Sequence, residues 1–271
     1  MLKQRILTAT LLALGSIWAL FGASDVFWTA IMLGIGSVAA WEWSGFAKRS
    51  VLWQRGAYAL VVTIIAYLAI NYIDSNVLLA LTLLEMVILI GVVLNYQRSK
   101  GQACSFSSNL TLLLGALFIP VFVVSMVHFR SHFSPEALLL SLFVIWAIDT
   151  GAYFSGRRFG RNKLAVFVSP GKTWEGVYGG ALLAFFIALI GVYLVQPALD
   201  YSYIVFALIA ALVAAFSVFG DLFESVLKRQ VGLKDSGSIL PGHGGILDRI
   251  DSLIIAIPMF YLVWVYGSLS A

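Results

Sequence analysis

Residues 221–251, "DLFESVLKRQVGLKDSGSILPGHGGILDRID", gather acids, bases and glycines in a chain that is otherwise apolar. Asp221, Glu224, Ser225 and Lys228 stand at i, i+3, i+4 and i+7, so a helix presents them as one polar stripe. Asp248 and Asp251 repeat the i, i+3 spacing where a further apolar run begins. That many acids at two helix ends exceeds a structural need. Carboxylates so placed suit a hard cation such as Mg²⁺, which takes few protein ligands and leaves positions open for phosphate. Asp221 and Asp248 are the first candidates, with Asp251, Glu224 and the upstream Asp149 as further ones. Lys228, Arg229, Lys234, His243 and Arg249 lie among these acids, and that mixture describes phosphoryl-group handling, where catalysis is mostly positioning and charge neutralisation. Gly242, Gly244 and Gly245 allow tight turns and close backbone approach, which makes "GHGG" a candidate phosphate cradle.

A second polar stretch lies upstream, "IDTGAYFSGRRFGRNKLAVFVSPGKTWEGVYGG". Asp149 falls near the end of an apolar run, where an ionisable group is costly and therefore points to a site. "SPGKTWEG" predicts a helix start: Ser169 and Thr173 can cap, Pro170 suits an early position and Glu175 favours the positive end of the dipole. Lys172, beside free N–H groups at a helix N-terminus, is a phosphate-binding device. Plainer readings stand beside these. Asp149 can pair with a loop arginine, capping alone accounts for much of "SPGKTWEG", and His243 can be a hydrogen-bonded structural group.

The elements that must position these residues are membrane spans. The 271 residues are 61% hydrophobic and 11% charged, with mean hydropathy +0.96. A soluble domain is closer to a quarter charged. A bilayer core of about 30 Å needs about 20 helical residues per crossing. Apolar stretches of that length recur at about 5–22, 26–43, 56–73, 77–95, 110–128, 136–154, 176–196, 201–224 and 250–268. Runs such as "ALLAFFIALIGVYLV" show no alternation, which excludes a membrane barrel. The expected fold is all-α: a polytopic protein of about nine transmembrane helices. The first stretch is long for a signal peptide and is expected to be retained. The chain forms one membrane domain, 1–271, with helices 1–5 (1–128) as an N-terminal part and 136–271 as the catalytic part. The cytoplasmic loops of that part are 155–175 and 225–249.

All of the 17 lysines and arginines except Arg130 fall in the N-terminal tail or after the even-numbered stretches. The positive-inside rule then sets the N-terminus in the cytoplasm and the C-terminus outside. This distribution explains the net charge of +4 without a nucleic-acid partner. The single cysteine, Cys104, excludes a disulfide framework and a multi-cysteine metal site, and is expected to be inert.

Ser225, Lys228-Arg229, Lys234-Asp235, Pro241, His243-Gly244-Gly245, Asp248-Arg249 and Asp251, in this order and spacing, resemble the signature of the phosphatidate cytidylyltransferases, or CDP-diacylglycerol synthases. "SPGKTWEG" resembles a second stretch of that family, and length and helix count agree. The resemblance implies CTP plus phosphatidate giving CDP-diacylglycerol and pyrophosphate, with Mg²⁺ and room for a second cation, at the cytoplasmic face of a bacterial inner membrane. Asp221, Asp248, Asp251 and Lys228 become the expected catalytic residues. Ser169, Lys172, Thr173, Glu175, Ser225, Arg229, Lys234, Asp235, His243, Gly244, Gly245 and Arg249 become the expected substrate contacts, and Trp174 is a candidate to stack on a base. The partners are CTP, phosphatidate and membrane lipids, and a homodimer is compatible with the chain. Two other classes stay open: a CTP-dependent kinase of a lipid alcohol, and a secondary transporter with ion-binding acids inside its helices.

Overall fold

The computed structural model describes residues 2–102, 106–240, 242 and 244–268, with backbone alone at residues 2–7 and 9. Nine helices occur among them: α1 (Leu2–Gly22), α2 (Asp25–Phe46), α3 (Leu52–Tyr72), α4 (Ser75–Arg98), α5 (Ser108–His132), α6 (Pro135–Phe159), α7 (Trp174–Val195), α8 (Tyr203–Gln230) and α9 (Leu247–Gly267). The eight from α2 to α9 are long and apolar enough to cross a membrane, while α1 contributes a shorter apolar stretch, Thr10–Gly22. The chain is an all-α polytopic membrane protein.

Short polar links start several helices in one way. Ser24, Asp74, Ser107 and Thr173 each accept a hydrogen bond from the backbone N–H three residues on, satisfying a donor that has no partner within its helix. Helix ends overrun the apolar windows. α8 continues six residues beyond the expected 224, and α9 starts at Leu247 rather than 250. Hydropathy marks where hydrocarbon must be met, whereas backbone hydrogen bonding continues into polar sequence. Asp248 and Asp251 therefore lie in the first turns of α9.

One segment departs from the expected helix start. Lys163–Ala165 (β1) and Ser169–Thr173 (β2) pair antiparallel, with Lys163 opposite Thr173 and Ala165 opposite Ser169. Ser169 and Pro170 therefore stand in a hairpin strand, and only Thr173 caps α7, through its bond from the Gly176 N–H at 3.2 Å. A hairpin supplies backbone partners that a capping reading of five residues does not consider.

The chain divides into two compact units. One comprises Met1–Ile73, Ser105–Pro135 and Leu227–Asp251; the other comprises Asp74–Cys104, Glu136–Val226 and Ser252–Ala271. In the first, α2, α3 and α5 pack against one another. Side-chain donors reach backbone carbonyls across that packing: Trp28 to Met126 at 3.1 Å, Trp43 to Thr111 at 2.7 Å and Tyr58 to Leu112 at 2.8 Å. Arg130, the one cation expected outside, donates to the carbonyls of Leu20 and Ala23 and pairs with Asp25 at 2.8 Å, so its charge satisfies chain ends around the α1–α2 link. In the second unit, α6 and α7 approach through glycines. A Cβ on Gly151 would lie 2.8 Å from the Gly180 Cα, and one on Gly180 would lie 2.5 Å from the Ile148 carbonyl oxygen. Small residues allow such backbone contact between membrane helices, and this contact carries the hairpin at the end of α6.

Candidate active site

A cluster of charged side chains in the second unit gathers around Asp221. The Lys172 ammonium lies 2.5 Å from Asp221 Oδ2 and donates to the Val218 carbonyl at 3.5 Å. Ser225 donates to Asp221 Oδ1 at 3.4 Å, and Asp149 lies within electrostatic range of both Lys172 and Asp221. Lys172 thus sits in a strand and neutralises an acid, rather than standing beside free N–H groups at a helix start. Asp149 is exposed on α6, whereas Glu224 is buried, 3% exposed, although it lies on the same helix as Asp221. Asp221 keeps 32% of its side-chain surface, which leaves room for a further ligand.

Beside the hairpin, Arg158, Phe159, Gly160, Arg161, Asn162 and Glu175 line an open pocket. Glu175 does not face it as a free acid. It accepts the backbone N–H groups of Arg161 and Asn162 and the Asn162 side-chain amide, the last at 2.7 Å. Those neutral donors favour its ionised form, so the pocket combines two guanidinium groups with one hydrogen-bonded carboxylate. Trp174 is 44% exposed and rests near Tyr178, ring centroids 6.1 Å apart.

The first unit holds the other cluster. Asp248 Oδ1 accepts from the Lys228 ammonium at 2.9 Å and the Ser236 N–H at 3.1 Å; Oδ2 accepts from the same N–H at 2.9 Å and from the Gly245 N–H at 2.9 Å. A carboxylate offers about four lone-pair sites. Three donors engage both oxygens here, the Ser236 N–H shared between them, and the side chain is 8% exposed. Gly242 and Gly244 take φ of 77° and 83°, the left-handed turn conformation expected of this glycine cluster. The N–H groups that follow serve the chain itself: Gly245 bonds Asp248, while Ile246 and Leu247 bond Glu42. The expected phosphate cradle is thus built around two of the protein's own carboxylates. Arg229, Lys234, Asp235 and Arg249 are exposed on this unit, Asp251 is half-buried, and Pro241 and His243 lie outside the described residues, as does Cys104.

Glu42 and Ser236 escaped the reading of the sequence. Glu42 is 1% exposed in α2 and accepts from Ser236 Oγ at 3.1 Å, Ile246 N at 3.2 Å and Leu247 N at 2.8 Å. Its local signal was a lone acid near the end of an apolar stretch, "AAWEWSGF", of the kind that had marked Asp149.

The carboxylate oxygens of these acids are the kind of ligand a hard cation requires. Among the described residues, no three histidines, cysteines or acids are gathered as a ready-made metal cage. Mg²⁺ does not require one, because one or two carboxylates and the substrate's phosphates suffice. The residues fit such an ion, with Asp221 the more available acid; at Asp248 a cation has to replace a lysine or a backbone N–H.

Comparison with known proteins agrees with this chemistry. A profile of the Cytidylyltransferase family matches residues 3–266. A phosphatidate cytidylyltransferase of Pseudomonas aeruginosa is 40% identical over 275 residues, covering 98% of both chains. Its counterpart in Haemophilus influenzae is 36% identical over 280 residues, covering 96% of this chain and 97% of the relative. One from Bacillus subtilis is 32% identical over 268 residues, covering 97% of each. The two lysine–carboxylate pairs and the glycine turn all fall inside the matched span, and the chain belongs to the cytidylyltransferase family.

Proposed function

We propose that this protein is a CTP:phosphatidate cytidylyltransferase. The lipid's phosphate oxygen attacks the α-phosphorus of CTP, the bond from that phosphorus to the β-phosphate's bridging oxygen breaks, and pyrophosphate leaves. CDP-diacylglycerol remains in the bilayer. The observation that carries the reading is the full-length match to relatives bearing that name, over residues that include both lysine–carboxylate pairs. The nucleophile is already ionised, so no strong general base is needed. The demand is to offset repulsion between two anions, and positioned cations do so in the transition state.

Lys172 and Lys228 supply such charges, and Arg158 and Arg161 offer guanidinium groups for phosphate oxygens at the pocket beside the hairpin. Asp221 is the first candidate to hold Mg²⁺, and Asp248, Asp149 and Asp251 are each further candidates. When bound it would neutralise triphosphate charge and polarise the reacting phosphoryl oxygens. Purified protein in detergent should release pyrophosphate from CTP only with phosphatidate and Mg²⁺ both present, and cytidine should enter the lipid phase. Labelled phosphate on a lipid alcohol, with CDP left in solution, would show a kinase instead.

The distribution of basic residues supports a cytoplasmic N-terminus, an external C-terminus and an active site facing the cytoplasm of a bacterial inner membrane. A reporter fused after residue 271 should lie outside, and one inserted near residue 100 should lie inside. Both on one side would overturn this orientation.

A further inference from the structure

We infer that Glu42, in α2, is a positioning residue for the reaction: it holds the 236–247 segment that presents Asp248, and in this it rests on the catalytic reading of Asp248. A carboxylate buried at the end of a membrane span is costly unless it is fully hydrogen-bonded. Among the described residues, both oxygens of Glu42 accept hydrogen bonds from the signature segment, from one hydroxyl and two successive N–H groups. Ile246 and Leu247 open α9, so the negative charge also faces the positive end of that helix. The Arg55 guanidinium acts electrostatically on it, held in place over the Trp41 ring at 4.7 Å and by the Trp41 carbonyl at 2.9 Å.

The segment is shaped around this side chain. A Cβ on Gly245 would lie 2.5 Å from Glu42 Oε2 and would clash with Ser236 Oγ, and a Cβ on Gly237 would clash with Glu42 Oε1. Two glycines of the signature region are therefore required by a residue about 200 positions earlier. The bonds interlock with those of Asp248. Ser236 gives its hydroxyl to Glu42 and its N–H to Asp248, while the consecutive N–H groups of Gly245, Ile246 and Leu247 divide between the two acids. Moving one carboxylate moves the donors of the other.

Glu42→Gln keeps the shape but turns one acceptor into a donor aimed at N–H groups. In purified, detergent-folded protein it should lower kcat at least about tenfold, since misplacing a reacting group acts on the transition state, and change the KM for CTP by less than about threefold. Backbone amide exchange should accelerate across residues 236–248. Adding Glu42→Gln to Asp248→Asn should cost no further turnover, because residues acting as a unit are non-additive. Trp28→Phe, which removes an indole bond to Met126 elsewhere in the same unit, serves as the stability control and should lower the melting temperature while turnover holds. Unchanged exchange at 236–248, near-normal turnover, losses that multiply in the double variant, or Trp28→Phe losing turnover in the same proportion to stability would each overturn the role of Glu42. Near-normal turnover of Asp248→Asn alone overturns the reading of Asp248 instead, and the exchange measurement then judges Glu42 separately.

Discussion

Asp248 and Asp221 are the same side chain beside the same kind of partner, and the two units use them differently. Asp248 in the first unit is closed: a lysine and two backbone N–H groups engage both its oxygens, and little of it is exposed. Asp221 in the second is open, with one short lysine contact, one long serine bond and a third of its side-chain surface free. A carboxylate in a filled network supports structure as well as chemistry, because its removal strands buried donors. One with spare lone pairs can take a ligand without dismantling its surroundings.

The largest effect is expected at Asp248, where both roles are lost together. Asp248→Asn should cut turnover at least about a hundredfold, equal to about 3 kcal/mol in the transition state, and should also destabilise the fold by about 3 kcal/mol as Lys228 and the loop N–H groups lose their anionic partner. Turnover and thermal melting in detergent check both halves. A variant with unchanged melting would show that the network is not structural.

Asp221→Asn should separate the two effects. A rate loss again of at least about a hundredfold should accompany a stability change within about 1 kcal/mol, since a part-exposed ion pair contributes little to folding. Rate measured against Mg²⁺ should show a displaced or vanished midpoint. Near-normal turnover at saturating Mg²⁺ refutes Asp221 as a metal-holding acid.

The lysines sharpen the contrast at smaller scale. Lys172→Ala and Lys228→Ala should weaken CTP or lipid binding by about tenfold, or about 1.4 kcal/mol, with the Mg²⁺ midpoint near its original value. Substrate titrations at fixed Mg²⁺ read this directly, and a shifted midpoint in either variant would make that lysine part of metal binding. Only Lys228→Ala should also lower the melting temperature, because only its partner is enclosed.

The smallest effect is expected at Gly244. Alanine there must adopt φ of 83° and bring a Cβ within 2.9 Å of Asp248 Oδ2. A left-handed non-glycine residue costs about 1–2 kcal/mol, read as a lower melting temperature, with turnover reduced severalfold at most. A melting temperature equal to the parent's would mean that the turn is not held in this conformation.

Much of this was readable from local sequence, for a physical reason. A span is a run of about twenty apolar residues, so every helix after the first matches its apolar window, with ends displaced by at most six positions. The i, i+3, i+4, i+7 stripe and the left-handed glycines are likewise properties of neighbouring residues. The hairpin at Lys163–Thr173 was missed because capping residues and strand residues overlap in so short a segment, and pairing depends on a partner strand. Lys172 was assigned to open N–H groups because nothing near it in sequence points to Asp221, 49 positions away.

By itself, then, the sequence determined the membrane class, the places where helices cross, the inventory of acids and bases, and the family those residues resemble. These depend on hydropathy, charge and spacing along the chain. Only the tertiary structure decided which lysine meets which acid, that Asp248 is closed while Asp221 is open, and that Glu42 organises the glycine turn of a segment about 200 residues later. Hydrogen bonds and ion pairs act over about 3 Å of space whatever the separation in sequence, so their partners exist only once the helices have packed.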